Sequence, residues 1–274
     1  YQSALASAPD DEHVIVTLDR LLRRAQRWGD LRALYDHRIE RTTDAAARRA
    51  LLLEVARLEE SELDDADAAS RRFRAILAEE PGDPEALESL SRLSEAGARW
   101  EELAGLLATR RDAADGVVRA ELAYRLGELR AQKLDDTPGA IESFREVLAL
   151  APHHAGALAS LEAMLRDPAW RVTAAKLLEP EFDAIREHKK LAWVLQILLD
   201  TSEDRDTRRT LALRLARIYG EELEDGRSGF ELVRSELEQQ PESEELADAL
   251  GELATLAGWN EELANAYAKI VDRE

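Results

Sequence analysis

Three pairs of adjacent carboxylates are the residues of this sequence with the clearest capacity for chemistry, because paired acids can hold a divalent metal or exchange protons. The second pair follows the first at the same interval that separates Pro152 from Pro81, and each pair stands just before a helix-forming stretch. At such a position a carboxylate accepts hydrogen bonds from free backbone N–H groups and meets the positive end of the helix dipole. We therefore predict helix caps and no metal ligands. The pairs are Asp64-Asp65, Asp135-Asp136 and Glu224-Asp225.

The histidines and nucleophiles give no better candidate for a reaction. Five His are scattered along the chain, and only His153 and His154 are adjacent. Neighbouring side chains on a helix point in different directions, so this pair is a poor chelate. There is no Cys, and the sequence holds no phosphate-binding glycine loop, H-E-x-x-H motif or nucleophile elbow. The sequence predicts a chain without catalytic residues, metal or cofactor, and thus not an enzyme.

The net charge of the chain limits the classes of molecule that are expected to bind it. The formal net charge is −20, from 57 acidic and 37 basic residues. Such a balance argues against nucleic acid, which is held through Lys and Arg, and favours a basic protein partner. Residues 19–49 carry nine Arg against five acids, whereas 220–263 carry fourteen acids against two Arg. This asymmetry also allows end-to-end self-association of copies.

Apolar residues recur at helical spacing along the chain, and the pattern itself repeats. The turn prolines Pro81 and Pro152 stand one repeat period apart, and Pro241 follows Pro152 after a longer interval. The additional residues of that interval fall near 168–186, where we predict one inserted helix. Strong helix formers dominate the composition, so the fold is predicted to be all-α.

The central repeat resembles the tetratricopeptide-repeat (TPR) family. That family couples a Leu-Gly pair to a later Ala, Phe and Pro, here Leu126-Gly127 with Ala140, Phe144 and Pro152. The first repeat carries Ala69, Phe73 and Pro81 at the same spacing, while the third has Gly229 and Val233 in the Ala and Phe slots. The resemblance implies a right-handed α-solenoid of about fifteen helices in antiparallel hairpins. A looser, HEAT-like stack stays open for 153–200.

The expected organisation is a single domain over 1–274, cut from a longer array. Its units span about 28–99, 100–169 and 188–258, with partial units at both ends. No apolar run is long enough for a bilayer, so no membrane insertion is predicted. A cytoplasmic location fits the lack of Cys, and the periplasm or envelope stays open since the chain starts at Tyr1.

The resemblance implies a concave groove lined by the first helix of each hairpin. Polar residues are expected there, so leucines on that face are an anomaly that indicates either binding or a wider buried stripe. The predicted function is a non-enzymatic scaffold that binds a protein or peptide. The alternatives are a regulatory sensor that binds a peptide or small ligand, and a self-assembling spacer. The predicted groove residues are Leu53, Arg57, Tyr124, Glu128, Leu213 and Arg217.

Overall fold

The computed structural model describes residues 11–271, and in this range the chain forms fifteen α-helices and one short π-helix. The helices are α1 (Glu12–Arg24), α2 (Trp28–Arg41), α3 (Ala45–Ser61), α4 (Ala66–Glu79), α5 (Pro84–Ala96), α6 (Trp100–Asp112), α7 (Gly116–Lys133), α8 (Thr137–Leu150), α9 (Ala155–Met164), α10 (Arg171–Ala184), α11 (His188–Thr201), α12 (Arg205–Arg217), the π-helix (Ile218–Glu222), α13 (Gly226–Gln239), α14 (Glu244–Ala257) and α15 (Asn260–Val271). The all-α prediction is confirmed, and consecutive helices pack on one another from α1 to α7 and from α9 to α15, as in a TPR-like solenoid.

The acidic pairs act as helix caps, which confirms the capping role predicted for them. The second member of each pair accepts a hydrogen bond from a backbone N–H of the next helix: Asp65 from Ala68, Asp136 from Gly139 and Asp225 from Ser228. The first members adopt the left-handed conformation that reverses the chain, with φ of 51° at Asp64, 53° at Asp135 and 54° at Glu224. Since the carboxylates serve the turns, their recurrence at the repeat period has a structural cause.

The chain divides into two compact units, 1–140 and 141–274. In the described part of the first unit, a continuous apolar core runs through α1 to α6 and includes Leu31, Val55, Phe73 and Leu90. In the second unit consecutive helices from α9 to α15 pack on one another. The assignment of 1–274 to a single domain stays a prediction.

Small and large side chains alternate where helices approach closely. Ala69 and Ala140 are fully buried, as is Phe144, and Phe73 is 2% exposed. In the third repeat Gly229 replaces the alanine, and a Cβ there would lie 3.1 Å from the Ala216 carbonyl oxygen. The helices around Gly229 are therefore packed more tightly than an alanine allows without adjustment.

The predicted additional helix near 168–186 is present as α10. The turn that follows it has Arg186 at φ 57°, matching the left-handed residues Gln26 after α1 and Ala98 after α5. Thus α10 ends as α1 and α5 end. The shorter α9, by contrast, begins after a Pro turn as α5 does. Between the Pro turn and the left-handed turn, the second unit therefore has two helices, α9 and α10, where the first unit has the single helix α5.

Across residues 11–271, no helix combines the length and the apolar character needed to span a bilayer.

Candidate partner-binding site

A pocket of about 400 Å³ opens between α12 and α14 in the second unit. We call it the α12–α14 pocket. Eight of its eleven lining residues are apolar or glycine. On one lip stands Leu256, which is 87% exposed. A single exposed leucine is ordinary on a protein surface, but one that lines a cavity together with other apolar residues extends a contiguous apolar surface, which is typical of a binding site. The apolar lining consists of Leu213, Ala216, Gly220, Gly226, Ala249, Leu253, Leu256 and Ala257.

Helix periodicity brings these residues together. Leu213, Ala216 and Gly220 are three or four positions apart and therefore share one face of α12 and the π-helix, and Ala249, Leu253 and Leu256 share one face of α14. Gly220 keeps the pocket open, because its missing side chain would extend towards Leu253. At the other end of this face Arg209 pairs with Glu245 at 2.5 Å and joins α12 to α14.

The ends of the helices are fixed by capping. Asp204 accepts a hydrogen bond from the Thr207 N–H at 2.8 Å and starts α12. Ser243 accepts one from the Leu246 N–H and starts α14. At the end of α14 the chain turns through Gly258, whose φ of 73° suits glycine. These local signals place Leu256 in the last turn of its helix, next to the pocket.

A buried network holds α11, α12 and α13 in place. Arg208 donates to the backbone carbonyl oxygens of Leu199 at 2.9 Å and Ser202 at 3.1 Å. It also pairs with Glu236, a carboxylate that is 3% exposed. Because the guanidinium is bonded to all three, the helix that carries Leu213 and Arg217 is fixed against its neighbours.

Burial, followed by the nearby carboxylates of Asp225 and Asp200, raises the pKa of Tyr219 in the π-helix. The phenol is therefore neutral near neutral pH. The titration of this residue consequently adds no charge beside the pocket in that range.

Three charged side chains surround the apolar floor. Arg217, Glu221 and Glu252 line the pocket and are exposed. Within residues 11–271 none of the three takes part in an ion pair. The charges of the rim are thus available to a bound molecule.

Ion pairs bridge the same surface in the first unit. When Leu51 is aligned with Leu211, the positions of α3 and α5 correspond without a gap to those of α12, the π-helix and α14. Arg57 at the end of α3 contacts the carboxylates of Glu54 and Glu85, and Arg92 on α5 donates to Glu60 at 2.8 Å. The pairs Arg57–Glu85 and Arg92–Glu60 bridge α3 and α5.

Neither bridge is formed in the described part of the second unit. Arg217 and Glu245 occupy the positions of Arg57 and Glu85, but Glu245 pairs with Arg209. There Gly220 and Glu252 stand in place of Glu60 and Arg92. A glycine and a carboxylate cannot form an ion pair, so the groove between α12 and α14 is left uncovered at this point.

The six predicted groove residues fall in four places. Leu213 and Arg217 line the α12–α14 pocket. Tyr124 and Glu128 line a smaller pocket of about 260 Å³ in the first unit, beside Trp100. Leu53 is 5% exposed and belongs to the core, which matches its interpretation as part of a wider buried stripe. Arg57 is exposed but is engaged with Glu85.

The smaller pocket is occupied by contacts of the chain with itself. The Lys133 ammonium lies 5.2 Å from the centroid of the Trp100 ring. Gln132 donates to Glu128 at 2.6 Å, and Arg125 lies 3.5 Å from Glu95. Its polar groups are therefore largely satisfied, and the α12–α14 pocket is the better candidate.

Sequence reasoning missed Gly220, Glu252 and Leu256. Alignment of the repeats held the signal, because the corresponding residues of the first unit are Glu60, Arg92 and Ala96. Each change removes a bridge or adds an exposed apolar group. The change at each position can be seen in the sequence, but its meaning depends on knowing that these positions face one another.

The adjacent histidines have structural contacts. His154 accepts a hydrogen bond from the Ala157 N–H at 3.2 Å and so caps α9. His153 lies 2.8 Å from the Glu181 carboxylate through Nδ1. Between residues 11 and 271 no cluster of three or more His, Asp or Glu is arranged to hold a metal ion.

Comparison with known proteins gives likenesses of fold. No protein-family model matches the chain, and no curated protein matches it. The structural neighbours are tetratricopeptide-repeat proteins. A tetratricopeptide repeat protein from Parabacteroides merdae is 14% identical, with 82% of this chain and 79% of that one covered and a TM-score of 0.33. The P58(IPK) TPR domain is 13% identical, with 98% and 76% covered and a TM-score of 0.34.

A third neighbour is an assembly chaperone of RpL4, Acl4. It is 15% identical, with 92% of this chain and 98% of that one covered and a TM-score of 0.26. At these identities and scores the likeness concerns fold alone. The function proposed below rests on the α12–α14 pocket.

Proposed function

We propose that this chain is a non-enzymatic scaffold whose α12–α14 pocket binds an apolar side chain of a partner protein. The observation that carries the proposal is Leu256, 87% exposed at the lip of an apolar cavity of about 400 Å³. Cavities of this size accept ligands or side chains. Covering a leucine-sized anchor stabilises a complex by about 1.5–3 kcal/mol, which is enough for one central contact of an interface.

Stacked helix pairs suit this role because they present surface without depending on any one residue for folding. The pocket-lining Leu213, Leu253 and Leu256 are partly or fully exposed, so replacing them changes the surface more than the core. Binding and stability can therefore be tested separately.

The test is capture of partner proteins by tagged variants, compared by quantitative mass spectrometry. Leu256→Ser shortens the apolar lip and is expected to reduce the capture of specific partners at least about fivefold, as loss of about 1 kcal/mol or more implies. Val117→Ser is the matched control, since Val117 is 83% exposed in the first unit and far from this pocket in sequence. Capture that survives Leu256→Ser but is lost with Val117→Ser would contradict the proposal.

A second variant closes the pocket by copying the first unit. Gly220→Glu with Glu252→Arg places a carboxylate and a guanidinium where Glu60 and Arg92 pair. The new Cβ at residue 220 would meet only Leu253 Cδ2, at 3.5 Å, an ordinary contact. The variant should fold normally and lose the partners that Leu256→Ser loses. A folded, closed variant with full capture would overturn the assignment of the pocket.

A further inference from the structure

We propose that the α12–α14 pocket selects a basic peptide segment in which one bulky apolar side chain is flanked by lysine or arginine. This inference rests on the proposed function and names the chemistry of the partner.

The charge of the rim favours cations. Glu221 and Glu252 contribute two negative charges and Arg217 contributes one positive charge, so the rim carries a net charge of −1. Since no residue in the described chain forms an ion pair with these groups, both carboxylates can accept hydrogen bonds from a lysine or arginine. The apolar floor between them leaves room for a side chain without charge.

The surroundings strengthen this preference. Residues 220–263 hold fourteen acids against Arg227 and Arg234. Both arginines are already paired: Arg227 lies 3.0 Å from Glu231, and Arg234 contacts Glu231 and Glu238. The field of this segment attracts a basic partner before contact and repels an acidic one.

The first helix of the chain has the same chemistry as the proposed ligand. Leu21 is 52% exposed, directly follows Arg20 and stands three residues before Arg24. A second copy could therefore compete for the pocket through α1. The sedimentation measurement below separates this occupant from a different protein.

The probe is a short fluorescent peptide with one central leucine flanked by lysines, and its match has glutamates in place of the lysines. Binding to the full chain is measured by fluorescence anisotropy at low and moderate salt. We expect the lysine peptide to bind more tightly than the glutamate peptide. Its affinity should fall as salt rises, and the closing pair Gly220→Glu/Glu252→Arg should abolish binding.

Two neutralising variants give effects of opposite sign. Glu252→Gln should weaken binding of the lysine peptide about twofold to fivefold, and Arg217→Gln should strengthen it by a similar factor. Both side chains are exposed, so thermal unfolding should not change and serves as the folding control.

The outcomes separate this inference from the proposed function. Tighter binding of the glutamate peptide, or reversed signs for the two variants, overturns the basic ligand while the pocket stays a binding site. Failure of both peptides to bind contradicts both proposals. Sedimentation of the wild-type chain as a dimer that the closing pair dissociates would assign the pocket to a second copy and overturn the proposal.

Discussion

The α3–α5 surface of the first unit and the α12–α14 surface of the second follow the same helical plan at corresponding positions of the sequence, but the first is bridged by two ion pairs and the second carries the α12–α14 pocket. In the first unit Arg57 and Arg92 on facing helices reach carboxylates across the surface, and Leu53 is buried. In the second unit Leu213 is half-buried at the corresponding position and lines a pocket. The difference lies in side chains that do not build the core.

This comparison shows how one copy of a repeated helical arrangement can acquire a distinct surface. Leu53 and Leu213 are the same residue at the same place in the repeat. The surfaces that carry these leucines differ at one pair of positions. The first unit has Glu60 and Arg92 there, and the second has Gly220 and Glu252. The core sets where the helices lie, and the surface pairs decide whether the groove between them is covered.

The largest effect on stability should come from the helix packing of the second unit, at Gly229. Gly229→Leu would drive a side chain against the Ala216 carbonyl oxygen and should lower the free energy of unfolding by about 2–3 kcal/mol. Denaturant unfolding measures this. Gly251→Ala is the control, because a Cβ there meets nothing within 4 Å and should stabilise the helix by about 0.5–1 kcal/mol. Equal effects of the two substitutions on the free energy of unfolding would mean that the helices around Gly229 are not tightly packed.

The next effect comes from opening the first unit. Glu60→Gly with Arg92→Glu removes the bridge between α3 and α5 and should cost about 1–2 kcal/mol, from one lost surface ion pair and a glycine in a helix. It should also create weak binding of the lysine peptide. Glu121→Gly, an exposed glutamate within α7, isolates the cost of the glycine. If the opened variant is as stable as this control and binds nothing, the bridge does not explain the difference between the units.

The smallest effect is a pH dependence that arises at Glu102 in the first unit. Hydrogen bonds from Arg74, opposed by partial burial and joined by those from Ser94 and Arg99, lower the pKa of Glu102 from 4.5 to about 2. A lowered pKa in the folded state stabilises the fold above about pH 4.5, and this contribution is lost as the pH falls from 4.5 through 2. Unfolding measured against pH should show a loss of about 1 kcal/mol, a figure reduced for solvent screening, that Glu102→Gln removes.

The control for this titration is the corresponding glutamate of the second unit, Glu262. Its contact with Arg227 is longer, at 3.8 Å, and the position of Ser94 is held there by Ala254, which has no hydroxyl to donate. Glu262→Gln removes a carboxylate with this single long contact and is therefore the matched variant for Glu102→Gln. If Glu262→Gln removes the loss of stability at low pH and Glu102→Gln does not, the assignment of that loss to Glu102 is wrong.

Much of the fold could be predicted from the sequence because its causes are local. Helix caps, turns and buried alanines each act within a few residues of the chain, so the repeating sequence pattern predicts them directly. Examples are the caps Asp65 and Asp225 and the turn at Pro81. The pocket depends instead on which side chains face one another across two helices. Periodicity placed Leu213 and Arg217 on the right face but also selected Leu53, which lies in the core of the first unit.

The ion-pair bridge over α3 and α5 also has an evolutionary consequence. Glu60 and Arg92 bridge one copy of the repeat, Gly220 and Glu252 leave the other without this bridge, and neither position supports the hydrophobic interior. A lineage can therefore gain or lose a binding specificity in one repeat by exchanging these two residues, while the remaining copies preserve the architecture.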